Sequence, residues 1–268
     1  MIELQFDVVS PFTGELGFTG TPLRAAFLSL LKGCSDQLST EVHDERAVRT
    51  YALQPFAHDK EFRTVFEEGR EYSFRVNLLD SDRYQDALRR FALTSRRSIR
   101  IHHEVFPLRR IDFISYDAGK TMETWIDEFK ESFHDTIRIV MTFLTPTQLS
   151  AYGSDFACLL PQPERVFPSL LRVWNEIERA TAIEHVSEYR DWVESKVHVS
   201  AHRLHTAEVQ LGRTRKVVGF LGRVVYAVSD AQSPLGYLTA GLAKFAQLSN
   251  VGKSRTAGFG HVDVRIES

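Results

Sequence analysis

The sequence predicts an α+β protein whose 268 residues form two domains, each with the element order βαββαβ. The first observation is the alternation of apolar and polar residues over Ile2–Val9, which has the period of a half-buried strand. The second is an apolar face at helical spacing that runs from Leu23 to Leu31. The third is that strand-like and helix-like segments follow one another in the same order in the second half of the chain.

The remaining elements of the first half follow from local patterns. A helix is expected with Thr21 as its N-cap, Pro22 as its first residue and Gly33 as a candidate end. The strands "VRTYALQPF" and "EYSFRVNLL" come next. Ser81 is the expected N-cap of a second helix, and "SIRIHHEVF" is the last predicted strand.

The second half contains the same plan with helical insertions. "IRIVMTFL" is rich in β-branched residues and is a predicted strand. Two helices, "PERVFPSLLRVWNEIERA" and "AIEHVSEYRDWVES", are followed by a long hairpin around "GRTR". A helix with a proline start and the strand "AGFGHVDVRI" complete it. The order is that of a ferredoxin-like (RRM-like) domain, and we expect tandem ferredoxin-like domains over residues 1–115 and 116–268.

Composition limits the class of protein. Charged residues are 25% of the chain and the formal net charge is −2, so a generic basic nucleic-acid coat is not expected, although one basic face is compatible with this balance. The two cysteines, Cys34 and Cys158, lie far apart without CxxC spacing. Free thiols favour a reducing, cytoplasmic location, and no signal peptide or membrane-spanning run is expected.

Near the end of the chain, "SNVGKSRTAGFGHV" contains three glycines and two basic residues. A nucleotide-binding P-loop would need a glycine where Gln247 stands. It would also follow a strand and begin a helix, whereas this segment follows a predicted helix and precedes a strand. A second interpretation is a helix-to-strand turn in which Gly258 and Gly260 allow close packing.

A third interpretation of the same segment is a phosphate-binding loop. Glycines bring backbone amides close to phosphate oxygens, while Lys253 and Arg255 add charge and Ser254 adds a hydroxyl donor. This set of donors suits a phosphodiester backbone.

The chain resembles the CRISPR repeat-RNA endoribonucleases of the RAMP superfamily, the Cas six family. The motifs are "NVGKSRTAGFGHV", which looks like the family's C-terminal glycine loop, together with "GFLGRVVYAV", "TFLTPTQL" and "TPLRAAFLSLL". The resemblance implies two ferredoxin-like domains and cleavage of precursor CRISPR RNA within each repeat without a metal or other cofactor.

The resemblance also implies where the chemistry lies. In "STEVHDERAVRTYAL", His43 matches a catalytic histidine and Arg49 a nearby basic position, while Phe27 and Leu28 stand where some members have an additional tyrosine. Histidine suits proton transfer near neutral pH and arginine suits the charge of the transition state. The alternatives are a solvent-facing or helix-capping histidine and a solvated strand arginine. Tyr51 is a further guess for the missing tyrosine.

A basic ribbon is predicted in the hairpin of the second domain, where such ribbons can clamp an RNA stem. Its alternative is a solvated face. The residues predicted to contact RNA are Arg46, Arg213, Arg215, Lys216, Gly252, Lys253, Ser254, Arg255, Gly258 and Gly260.

Three histidines allow a metal-binding interpretation. His198, His202 and His205 would share one face of a helix, but the valines around His198 favour a strand, which places His205 on the opposite face. No metal site is therefore expected.

The predicted function is metal-independent endoribonucleolytic processing of CRISPR RNA by 2′-hydroxyl attack. The alternative is a non-catalytic RNA-binding subunit of a CRISPR effector complex. The expected partner is CRISPR repeat RNA, and association with other effector subunits and homodimer formation are left open.

Overall fold

The structure is a computed structural model. It describes residues 1–35, 38–40, 50–58, 61–92, 98–115, 122–132, 134–150, 156–178, 185–211 and 215–268. The chain divides into two compact units. The first comprises residues 1–116 with the segments 209–217 and 256–258, and the second comprises the rest. The predicted domain boundary at residue 115 stays a prediction. The segments 209–217 and 256–258 pack with the first unit, although their neighbours in sequence belong to the second.

The first unit is built on a six-stranded sheet with the strand order β4-β3-β6-β1-β8-β7. The central four strands give the order β3-β6-β1-β8, which is that of a ferredoxin-like sheet. A further pair, β2 and β5, forms a separate ribbon. The strands are β1 (Ile2–Val9), β2 (Gly14–Glu15), β3 (Tyr51–His58), β4 (Glu61–Phe62), β5 (Val65–Phe66), β6 (Glu71–Leu78), β7 (Ser98–Ile101) and β8 (Glu104–Ser115).

Alternation along β1 places its apolar residues in the core, as the sequence predicts. Leu4, Phe6 and Val8 are fully buried, and the Phe6 ring stacks on Phe74 of β6 at 4.5 Å between centroids. The other strands and two helices, α1 (Gly20–Cys34) and α2 (Ser81–Ala92), supply further core residues. The N-cap of α1 is Thr19 rather than the predicted Thr21, so the helix begins two residues earlier than expected.

One predicted strand is instead a hairpin. "SIRIHHEVF" was expected to be continuous, but β7 ends at Ile101 and β8 begins at Glu104, with a turn at His102 and His103. His102 has a φ of 55°, which lies in the left-handed region and reverses the chain. The fourth ferredoxin-like strand is therefore β8.

The second unit contains a four-stranded sheet with the order β12-β13-β9-β14. This is again the ferredoxin-like order, and β9 pairs antiparallel with both β13 and β14. A short ribbon of β10 and β11 follows β9. The strands are β9 (Thr136–Thr147), β10 (Leu149–Ser150), β11 (Ala157–Cys158), β12 (Val197–Leu211), β13 (Arg215–Ser229) and β14 (Val262–Glu267).

Among the residues that the structure describes, the second unit contains the helices α3 (Met122–Lys130), α4 (Pro163–Ile177), α5 (Val186–Lys196) and α6 (Pro234–Ser249). The predictions include all but α3. Helix α6 begins with Pro234, and the Ser233 hydroxyl caps it by accepting a hydrogen bond from the Gly236 amide at 3.1 Å. Trp174 of α4 packs edge-on against Phe245 of α6 at 5.1 Å. In the described part of the chain, no helix is long and apolar enough to cross a membrane.

Candidate nucleic-acid interface

The glycine-rich loop of residues 252–260 connects α6 to β14 and is held by main-chain hydrogen bonds. The Lys253 amide donates to the Gln148 carbonyl at 2.8 Å, and the Gly260 amide donates to the Pro146 carbonyl at 3.1 Å. The Val251 amide in turn donates to the Gly260 carbonyl at 2.8 Å. These bonds tie both ends of the loop to the end of β9 and to the residue that follows it.

Two of its glycines are required by the local packing. Gly260 has a φ of 72°, and a Cβ atom there would overlap the carbonyl oxygen of Val251. Gly258 has a φ of 80°, and a Cβ atom there would overlap the ring of Pro55. Both glycines are buried, as is Phe259 between them. The turn interpretation therefore describes Gly258 and Gly260, and their contact with RNA stays a prediction.

Arg255 points into the protein. Its side chain is only 8% exposed, and Nη1 donates to the Ser249 carbonyl at 2.8 Å. The Asn250 side-chain amide donates to the Arg255 carbonyl at 3.2 Å. Burial lowers the pKa of Arg255 to about 10, because a desolvated guanidinium is less stable in its charged form. The predicted phosphate contact of this side chain does not fit its position, since the guanidinium is used to hold the end of α6.

The accessible part of the loop is its first turn. Ser254 is exposed and has a φ of 57°, while Lys253 and Gly252 are half-buried. A hydroxyl, an ammonium group and a backbone bend thus lie at the surface of this turn. Of the predicted loop contacts, Lys253 and Ser254 are the two whose side chains a phosphodiester chain can reach.

The basic ribbon is accessible where the structure describes it. Arg215 and Lys216 are the first two residues of β13, and both are exposed. Arg213 lies outside the described residues. Exposed cations of this kind can contact phosphates of an RNA backbone.

The predicted catalytic segment lies outside the described residues, including His43, Arg46 and Arg49. The chain is described again from Thr50, whose hydroxyl lies 2.9 Å from the Tyr84 hydroxyl in the core. Tyr51 is fully buried and packs against Phe27 at 5.3 Å between ring centroids. The suggestion that Tyr51 takes part in catalysis is therefore wrong, because its ring is enclosed by the core.

The histidines of the metal interpretation lie on a strand, as the valines of that segment predict. His198, His202 and His205 are all exposed residues of β12. Among the residues that the structure describes, no group of three or more histidine, cysteine, aspartate or glutamate side chains could hold a metal ion.

Two positions that support the loop were not identified from the sequence. Gln148 accepts from Lys253 through its carbonyl, and its side-chain amide donates to the Val218 carbonyl at 2.6 Å. Gly20, at the start of α1, packs so closely on Ala257 that a Cβ atom would overlap the Ala257 carbonyl oxygen. The available signals were the motif "TFLTPTQL" and a glycine directly before a helix start.

The second half of the chain is similar in sequence to a known protein family. Residues 141–262, which include the second half of β9, the β10–β11 ribbon and the glycine loop, match the family model of CRISPR-associated endoribonuclease Cas6. The resemblance to the Cas6 family is confirmed. The matched region ends at the first residue of β14, directly after the loop. Among curated proteins, none matches the chain in sequence.

Solved Cas6 structures share the whole fold. A product complex of Thermus thermophilus Cas6 (TTHB231) has 20% identity and a TM-score of 0.76, covering 98% of this chain and 99% of its own. A Cas6 (TTHA0078) product complex has 23% identity and a TM-score of 0.68, covering 99% and 100%. A RAMP protein binding different RNA substrates has 11% identity and a TM-score of 0.62, covering 99% and 100%. The predicted tandem ferredoxin-like fold is thereby confirmed.

Proposed function

We propose that this protein is an endoribonuclease that cuts precursor CRISPR RNA within its repeats. The observation on which the proposal rests is the Cas6 family match over residues 141–262, which includes the glycine loop with its accessible first turn. The similar structures include Cas6 in product and substrate-mimic complexes, which supports RNA as the ligand.

The proposed reaction is an internal transesterification that needs no metal ion. The 2′-hydroxyl next to the scissile phosphate loses its proton and its oxygen attacks phosphorus. The bond from phosphorus to the 5′-oxygen then breaks, and the leaving oxygen takes up a proton. The products are a 2′,3′-cyclic phosphate, which can open to a 3′-phosphate, and a 5′-hydroxyl.

His43 and Arg49 are the residues proposed for this chemistry. An imidazole can give or accept the proton because its pKa lies near neutral pH. A guanidinium can stabilise the negative charge that develops on the phosphorane. Both residues belong to the segment between α1 and β3, and the buried Thr50–Tyr84 hydrogen bond fixes the strand start that follows it.

Four accessible side chains are proposed to hold the RNA backbone. Arg215 and Lys216 supply charge from β13, and Lys253 and Ser254 supply a cation and a hydroxyl from the loop. Arg46 and Arg213 remain proposed contacts, as do the amides of Gly252, Gly258 and Gly260. Arg255 supports the loop from inside. Homodimer formation and binding to other CRISPR effector subunits are further proposals.

The test is cleavage of repeat RNA by the purified protein in EDTA. We expect a single cut in each repeat, with 5′-hydroxyl and cyclic-phosphate ends, and about a 10²–10⁴-fold slower rate for His43→Ala. Loss of cleavage in EDTA with recovery on adding a divalent ion would reject the metal-independent reaction. Tight binding without cleavage by the unmodified protein would instead favour the non-catalytic RNA-binding subunit.

A further inference from the structure

A groove of about 910 Å³ lies in the first unit, beside α1. One wall is the outward face of α1, including Thr21 and Ser29. The other wall is the β7–β8 hairpin, including Arg100 and Val105, and Gln210 of β12 completes the lining. Ligand sites in proteins span about 300–1,000 Å³, so this groove lies within the range of binding sites.

The groove combines apolar residues with an arginine and a histidine, Arg100 and His102. Val105 is 45% exposed, although valine side chains in folded proteins are usually buried. Leu16 and Ile99 also line the groove. Arg100 is exposed and lies directly opposite Val105 in the β7–β8 pairing, so both side chains reach the same face. None of the described lining residues carries a carboxylate. Such a groove suits a ligand with flat apolar faces and a negative charge.

The groove also adjoins residues 256–258 of the glycine loop, which belong to the same unit. Gly20 packs directly on Ala257 of the loop, and the next residue, Thr21, lines the groove.

We propose that this groove binds a single-stranded segment of the RNA substrate. A base packs on Val105 and Leu16, and the guanidinium of Arg100 binds the adjoining phosphate. Burial of a base against apolar side chains supplies affinity that tolerates many sequences, while arginine supplies a charged hydrogen bond. This inference rests on the proposed function and adds a second proposed contact region for the RNA.

The experiment is a thermodynamic cycle between the protein and the length of the RNA. Binding of repeat RNA is measured for the unmodified protein, for Arg100→Ala and for the control Arg109→Ala, with RNAs shortened stepwise from each end. Arg109 is an exposed arginine of β8 that does not line the groove, so it matches the change in charge.

We expect Arg100→Ala to weaken binding of the full repeat about tenfold. The same substitution should cost nothing on RNAs that lack the nucleotides in the groove. Its slope of log affinity against log salt should fall by about 0.7 on the full repeat only. The control variant should lose little affinity, and by the same factor on every RNA. An Arg100→Ala penalty that is absent, or equal for all RNA lengths, would overturn the proposal.

Photochemical cross-linking gives a second measurement that does not depend on a loss of affinity. A photoreactive group on Val105→Cys, in a Cys158→Ser background, should cross-link to the nucleotides whose removal abolishes the Arg100 effect. Cross-linking to other nucleotides, or to none in a complex that still forms, would contradict the groove assignment. If the unmodified protein neither binds nor cuts repeat RNA, the proposed function itself is wrong, whereas cleavage without the length dependence rejects only this inference.

Discussion

The glycine loop and the start of β13 both place basic residues among small polar ones, yet they use them in opposite ways. In the loop, Arg255 is buried and donates to the Ser249 carbonyl at 2.8 Å. At the start of β13, Arg215 and Lys216 are exposed. The difference shows that a basic residue of a predicted RNA-binding loop can be buried and hydrogen-bonded within the fold. In this protein the buried residues of the glycine loop stabilise the fold, and the proposed phosphate contacts come from exposed or half-buried residues.

The largest effect on stability is expected from Gly260→Ala in the glycine loop. A Cβ atom would overlap the Val251 carbonyl oxygen in a residue whose φ is 72°, so the free energy of unfolding should fall by about 3–5 kcal/mol. Urea denaturation measures it. The control is Gly33→Ala in α1, where no atom of the described residues outside the helix backbone lies within 4 Å of the new methyl group, and stability should change by less than about 1 kcal/mol. Equal stability of the two variants would mean that the loop is not tightly packed.

The next effect separates Arg255 from Arg215. Arg255→Ala removes the hydrogen bond to Ser249 and leaves that carbonyl without this donor, which should cost about 2 kcal/mol of unfolding free energy. Arg215→Ala replaces an exposed side chain and should cost less than about 0.5 kcal/mol. Unfolding curves in urea measure both changes. Similar losses of stability for the two variants would contradict the claim that Arg255 stabilises the fold and Arg215 does not.

RNA binding should show the reverse order. The double variant Arg215→Ala/Lys216→Ala should weaken repeat-RNA binding about tenfold, because two cations leave the phosphate backbone. The slope of log affinity against log salt should fall by about 1.4, roughly 0.7 for each lost contact to single-stranded RNA. Fluorescence anisotropy across a KCl series measures both quantities. An unchanged slope would show that these residues form only a solvated face.

The smallest effect is expected from Lys253→Ala. Lys253 is half-buried and its amide, which the substitution keeps, holds the loop to Gln148. Only the ammonium group is removed, so binding should weaken about threefold with little change in stability. The same anisotropy titration measures it, and Lys32→Ala, in the last turn of α1, is a control for the loss of one exposed cation. A larger loss than that of the Arg215/Lys216 pair would reverse the ranking of loop and strand.

Much of the fold could be predicted because hydrophobic periodicity records burial. Alternation in β1 and the helical spacing in α1 both correspond to buried residues. The β7–β8 turn was missed because His102 and His103 replace the glycine, asparagine or proline that usually marks a reversal. Helix α3 was missed as well, so the predicted plan of the second half lacks its first helix.

The candidate site was less predictable, for a physical reason. A glycine-rich string indicates close backbone approach but does not say whether the approaching group is a ligand or the protein itself. For Gly258 and Gly260 the neighbours are Pro55 and Val251. No sequence motif predicts the groove beside α1, because its residues Arg100, Val105 and Thr21 come together only when α1 packs against β7.

The most direct test of the account uses repeat RNA with one 2′-deoxynucleotide on the 5′ side of the scissile phosphate. The proposed reaction needs that hydroxyl as its nucleophile, so we predict that the substituted RNA binds with unchanged affinity and is not cut at that phosphate. Cleavage there at the normal rate would contradict the account.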